Sequence, residues 1–149
     1  MEYINSYQII SIPKGTIIPV CKLESSETVY KLMTDEYHMD KFFTEEMWGV
    51  FLDAKLNIIG VHQISKGGLS ATMCEPRSVF VPALLANAAG IVLVHNHPSG
   101  DPNPSKEDFS VTDRIHEIGK LLQINLVDHI VIGKENNYYS FKNHGFMEG

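Results

Sequence analysis

Two histidines and an aspartate carry the first chemical signal in this 149-residue chain. His95 and His97 follow Gly90-Ile91-Val92-Leu93-Val94, a short, β-branched, wholly apolar run that reads as a buried strand. Side chains two apart on a strand point to one face, so both imidazoles can reach a single ion. The segment Pro98-Ser99-Gly100-Asp101-Pro102-Asn103-Pro104 stops the strand and delays any helix until Ser105. From there Phe109, Thr112, Ile115, Ile118 and Leu122 recur at helical steps. Asp108 then falls in the first turn, where a rigid bend can swing its carboxylate beside the histidines. Two neutral imidazoles, one carboxylate and an open fourth position make a catalytic site for one zinc ion. Ser105 and Asp108 are also spaced as a capping box, the serine oxygen taking an orphan amide of the first turn. The two roles are compatible, because a serine at a helix start can aim its hydroxyl at the site.

The elements that position these residues are readable from pattern. Residues 1 to 24 form a lead with an apolar patch at Ile9-Ile10-Ser11-Ile12, consistent with one strand or a wrapping arm. Ser25 or Ser26 can cap a helix running to roughly Met33 to Tyr37, its stripe of Val29, Leu32 and Met33 facing the core. Thr44 to Asp53 and Ile58 to Ile64 are two apolar runs with a short polar joint, an antiparallel hairpin. Gly67-Gly68 opens a connection near which a substrate strand could lie, though a glycine pair by itself is a turn. Glu75 to Ala89 has a helical composition with a kink or restart at Pro82, and its small-residue end packs against the histidine strand. Ile124 to Gly133 is a further strand, and Tyr138 to Phe141 pairs back on it. His129, inside that strand, is a core residue or a hydrogen-bonded support for a ligand histidine. His38, His62, His116 and His144 have no partner at ligand spacing and receive no role.

The order His95-x-His97, seven residues, Ser105, two residues, Asp108 resembles the JAMM, or MPN+, zinc metalloproteases. The fuller wording, from His95-Asn96-His97-Pro98-Ser99-Gly100-Asp101-Pro102 to Pro104-Ser105 and Asp108, is similar to the bacterial RadC branch, and the resemblance runs from about Glu45 to Phe141. It implies that His95, His97 and Asp108 bind zinc and that Ser105 stabilises an oxyanion. It also implies a general base, a glutamate outside the ligand set and three residues before a strand glycine. Glu46 in Glu46-Met47-Trp48-Gly49 matches that position; Glu45 is the competitor, one residue away and on the opposite face if the strand already runs there. The implied activity is a peptidase or isopeptidase working through a zinc-activated water on an unidentified protein or peptide. The alternative is a metal-binding scaffold or accessory protein in DNA repair or recombination. The implied fold is an α/β, JAB/MPN-like sandwich related to the cytidine deaminases, a mixed, largely antiparallel sheet flanked by helices.

Composition narrows the classes. The length predicts a single domain over 1–149, with an N-terminal arm to about residue 24 and a core from about 25 to 146. Such a chain buries about two-thirds of the surface it exposes unfolded, so a core forms without disulfide staples. The short lead leaves no room for the N-terminal helix-hairpin-helix module expected of fuller RadC proteins. A net charge of −6 argues against a sequence-independent grip on DNA, which needs Lys and Arg on the phosphates. A nuclease would in addition need a carboxylate cluster suited to two metals. A deaminase would need His-x-Glu and Pro-Cys-x-x-Cys; the two cysteines, Cys21 and Cys74, stand alone and read as idle thiols. No apolar run reaches membrane-spanning length and no cleavable leader pattern opens the chain, so the cytoplasm is the default compartment.

Overall fold

A computed structural model describes residues 21–67 and 74–147. The apolar patch Ile9 to Ile12 and the connection from Gly68 to Thr72 lie outside those residues. Helix α1 (Ser26–Lys31) precedes the hairpin β1 (Glu46–Leu52) and β2 (Ile58–Lys66), then α2 (Pro76–Leu85), β3 (Gly90–Asn96), α3 (Lys106–Leu122), β4 (Asn125–Ile132) and β5 (Tyr138–Ser140). The five strands form one sheet in the order β2-β1-β3-β4-β5. Only β3 and β4 are parallel, joined through α3; every other neighbouring pair is antiparallel. This is the mixed, largely antiparallel α/β sandwich that the sequence leads one to expect.

Central strands covered on both faces must be apolar at nearly every position, and β1 and β3 are. Val50, Leu52, Val92, Val94, Ile130 and Ile132 face the layer of Val29, Leu32, Met33 and Met39. Met47, Phe51, Ile91, Leu93 and Leu126 face Val79, Phe80 and Ala83 of α2 and Ile115 of α3. Each such fully buried aliphatic side chain contributes about 1.5–3 kcal/mol, and together they make the sheet a rigid base for its C-terminal edge.

Two helices depart from the expected bounds. α1 gives way at Leu32 to a π-helical turn, Leu32–Glu36, and then a 3-10 turn, Met39–Lys41. The Thr34 hydroxyl donates to the Tyr30 carbonyl at 2.9 Å, competing with the regular ladder there. α2 begins with Pro76 in its first turn, runs through Pro82 and ends at Leu85. Asn87 then turns left-handed at φ +56°, which stops the helix short of Ala89. In α3 the buried stripe is Asp108, Thr112, Ile115 and Gly119, while Leu122 is exposed. Among the described residues no helix is long and apolar enough to cross a membrane.

Candidate metal centre

The side chains with chemistry meet where β3 ends. Ile91 and Leu93 face α2 and α3, so alternation puts His95 on that same face, where it is 1% exposed. His97 lies just past the strand, its N–H donating to the Ile132 carbonyl at 2.9 Å. The chain then bends sharply, Gly100 N–H returning to the His97 carbonyl at 2.9 Å and Lys134 N–H reaching the Gly100 carbonyl at 3.0 Å. Gly133 is required beneath this bend, because a Cβ there would run into the Gly100 carbonyl oxygen and Pro102. The proline-rich loop is thereby seated on the end of β4 and delivers Ser105 as the N-cap of α3.

At that cap the expected capping box forms. Asp108 N–H donates to Ser105 Oγ at 3.1 Å, and Ser105 N–H donates to Asp108 Oδ2 at 2.8 Å. The serine oxygen is thus an acceptor, and its own proton has no acceptor among the described residues. The box also turns the Asp108 carboxylate toward the strand end. His95 Nε2 and His97 Nε2 are 3.1 Å apart; Asp108 Oδ2 is 3.1 Å from His97 Nε2 and Oδ1 is 3.2 Å from His95 Nε2.

These spacings are within hydrogen-bond range and also near those of ligands around one ion. His97 Nδ1 lies 2.8 Å from the Asp101 carbonyl, which can only accept, so the neutral ring carries its proton there and turns a bare Nε2 inward. When His97 is neutral, a lone pair, a second imidazole and a carboxylate face each other there. A tetrahedral ion bound at 2.0–2.2 Å holds its ligands about 3.3–3.6 Å apart, close to what is found. Glu45 completes the group: with His95, His97 and Asp108 its ligand atom lies within a set no more than 4.8 Å across. Its Oε1 stands 3.8 Å from His95 Nε2, too long for direct contact and within reach of one intervening water.

The electrostatics agree. Burial opposes charge on His97, but its hydrogen bonds to Asp108 and the Asp101 carbonyl, with the Asp108 and Glu45 charges, raise its pKa. Burial also pushes the Asp108 carboxyl up, yet His95 and His97, which bond to it when protonated, and the Ser105 amide hold it well below the usual carboxylate range. A proton and a metal cation would compete for the same inward atoms.

Glu46 is not part of this group. It lies on the α1 face with Trp48, Val50 and Leu52, and its Oε1 accepts from Trp48 Nε1 at 3.1 Å and Gln63 Nε2 at 2.5 Å. The expectation of Glu46 at the site is corrected by strand parity: Met47 pairs with His95 across β1 and β3, so Glu45, two residues before Met47, shares the histidine face. His129 lies buried behind His95, its Nε2 2.7 Å from His95 Nδ1. Burial and the neighbouring His95 lower its pKa well below the ordinary imidazole value, so it is neutral.

The family model for the RadC-like JAB domain matches residues 23–146. The chain belongs to the RadC-like JAB domain family. Among curated relatives of this RadC-like chain, a UPF0758 protein of Thermotoga maritima is 41% identical over 83% of this chain and 54% of its own length. One from Methanosarcina mazei is 43% identical over 87% of this chain and 56% of its own length. A third, from Clostridium perfringens, is 40% identical over 81% of this chain and 52% of the relative. The RadC-like chain thus spans about half the length of the curated relatives it matches.

Proposed function

We propose that this chain is a zinc-dependent hydrolase of amide bonds, a peptidase or isopeptidase. The observation that carries the reading is the convergence of His95 Nε2, His97 Nε2 and the Asp108 carboxylate at 3.1–3.2 Å. A donor set of two imidazoles and one carboxylate suits zinc, leaving one position open to water and substrate. When bound, the ion supplies Lewis acidity that brings the deprotonation of water close to neutral pH.

The protein's own groups supply the proton handling. Glu45, with 36% of its side chain exposed, reaches both the cluster and solvent. In this reading its carboxylate takes the proton of the attacking water and returns it to the leaving amine, the role the sequence assigned to Glu46. Ser105 keeps its oxygen in the helix cap and donates its uncommitted proton to the oxyanion that develops on the carbonyl. Glu45 is the most exposed member of the cluster, so in this reading a peptide or a lysine-linked segment approaches from its side. A general base contributes about 10²–10⁴ in rate. Screened against extended peptides and lysine-linked isopeptides, Glu45→Gln is expected to lower hydrolysis by about that factor while zinc stays bound. Unchanged hydrolysis in Glu45→Gln would remove Glu45 from the mechanism, and zinc bound with no cleavage by the parent would favour a scaffold.

A further inference from the structure

An imidazole holds a cation only through a nitrogen without a proton, so His95 must keep its single proton on Nδ1. A chain of hydrogen bonds behind the site governs that choice. His95 Nδ1 lies 2.7 Å from His129 Nε2, His129 Nδ1 lies 2.6 Å from Thr112 Oγ1, and Thr112 Oγ1 lies 2.6 Å from the Asp108 carbonyl oxygen. Two proton arrangements satisfy such a chain. In the first, Thr112 donates to His129 Nδ1, His129 donates from Nε2 to His95 Nδ1, and the His95 proton sits on Nε2, where an ion belongs. In the second, Thr112 donates to the Asp108 carbonyl, His129 donates from Nδ1 to Thr112, and His95 donates from Nδ1 to His129. His95 Nε2 is then bare.

The Thr112 hydroxyl has one proton, and it donates to the carbonyl four residues earlier in α3, as helical threonines commonly do. That bond selects the second arrangement. We propose that Thr112 and His129 are positioning residues that fix His95 in the tautomer presenting an unprotonated Nε2 to the cation. The inference rests on the metal set of the hydrolase reading and adds a device outside it. His129 is held firmly enough to do this. It is fully buried, opposite Leu93 in the parallel β3–β4 register, and Phe141 stacks on its ring at 4.8 Å and 9°. The same helix that supplies Asp108 to the cluster thus also sets, one turn later, the proton of the ligand from β3. Outer partners of this kind are worth about 10–100-fold in metal affinity.

The test begins with ring ¹⁵N–¹H NMR of the metal-free protein, which reports the tautomer directly. His95 is expected as the Nδ1–H form in the parent and in Thr112→Ser, and as a mixture or the Nε2–H form in Thr112→Val. Zinc affinity, measured by chelator competition with zinc alone, should fall about 10–100-fold in Thr112→Val and His129→Leu. It should stay near the parent value in Thr112→Ser and in His129→Gln, whose amide oxygen can still accept from His95. A parent His95 protonated on Nε2, or parent-like zinc affinity in both Thr112→Val and His129→Leu, overturns the proposal. Failure of the parent to bind zinc would instead defeat the hydrolase reading, while the NMR result would still decide the tautomer relay.

Discussion

On the α1 face of the sheet, Asp128, Glu46 and Asn96 meet donors, while Asp40 Oδ1 is buried without one. Asp128 takes the Ser140 hydroxyl at 2.6 Å, its neighbour His129 N–H at 2.7 Å and Lys142 N–H at 3.0 Å. Glu46 takes Trp48 and Gln63, and Asn96 accepts Glu46 N–H at 2.8 Å while donating to the Thr44 carbonyl at 3.1 Å. On the opposite face Asp108 is 8% exposed, against 3% for Asp128, so the two aspartates are about equally buried. Yet Asp108 meets two imidazoles, at least one turned to it by its lone pair. Burial alone does not mark a functional carboxylate. What separates the two is the kind of partner: a hydroxyl and two backbone amides around Asp128, two imidazoles and one backbone amide around Asp108. Asp108 stands in a group of side chains that could hold a metal ion; among the described residues Asp128 does not.

Exchanging the charge at each aspartate should break this comparison most visibly. Asp108→Asn should weaken zinc binding by more than about 100-fold, beyond the range of outer partners. Asp128→Asn should leave zinc affinity nearly unchanged and cost roughly 1–3 kcal/mol of stability through mismatched donors. Chelator competition and denaturant unfolding on the two variants separate these outcomes; equal loss of zinc in both would erase the distinction. Within the neighbouring glutamates the contrast narrows. Glu46→Gln retains an acceptor for Trp48 and Gln63, so its expected cost is about 1 kcal/mol or less with zinc affinity unaffected.

The smallest effect lies in pH. In metal-free protein the lowered Asp108 contributes stability that is present above the ordinary carboxylate value of 3.8 and is lost as pH falls through its folded value. The raised His97 contributes stability present below 6.5 and lost as pH rises through its folded value. Their joint contribution therefore peaks between those limits. Asp128, raised by burial against the bonds from Ser140, Lys142 and His129, acts in the opposite sense: its penalty develops as pH rises from 3.8 through its folded value. Thermal unfolding from pH 3 to 8 should show the His97 contribution vanish and the Asp108 contribution shrink in His97→Ala, and the zinc-induced rise in melting temperature should grow toward neutral pH. A zinc-induced rise greatest at acid pH would contradict the assignment.

The cluster was legible where its parts are local. His95, His97, Ser105 and Asp108 lie within fourteen residues, and the proline-rich bend between them permits few paths. The choice between Glu45 and Glu46 was not, for a physical reason: β1 is buried on both faces, so Trp48, Val50 and Leu52 are as apolar as Met47 and Phe51. No polar side marks the parity, and only the pairing of Met47 with His95 resolves it. The partnership of Thr112 and His129 depends on the parallel register of β3 with β4, which carries an irregularity at Ile91 and Val92 that pattern alone does not reveal. In the fold, strand existence and order of elements were readable from apolar runs and turns. The end of α2 was set by Asn87, a single residue whose left-handed turn overrides composition, and the passage of α1 into a π-helical turn at Leu32 left no mark in the apolar pattern.

The central claim is that the inward-facing acceptors at the end of β3 are held for a metal ion. Metal content by mass spectrometry of the purified native protein, beside His97→Ala and Asp108→Ala, tests it most directly. The account predicts about one zinc per chain in the parent, as expected for a three-ligand catalytic site, and background levels in both variants. A parent without zinc after reconstitution at neutral pH, or variants that retain it, would contradict the account and leave Ser105 and Asp108 as a helix cap.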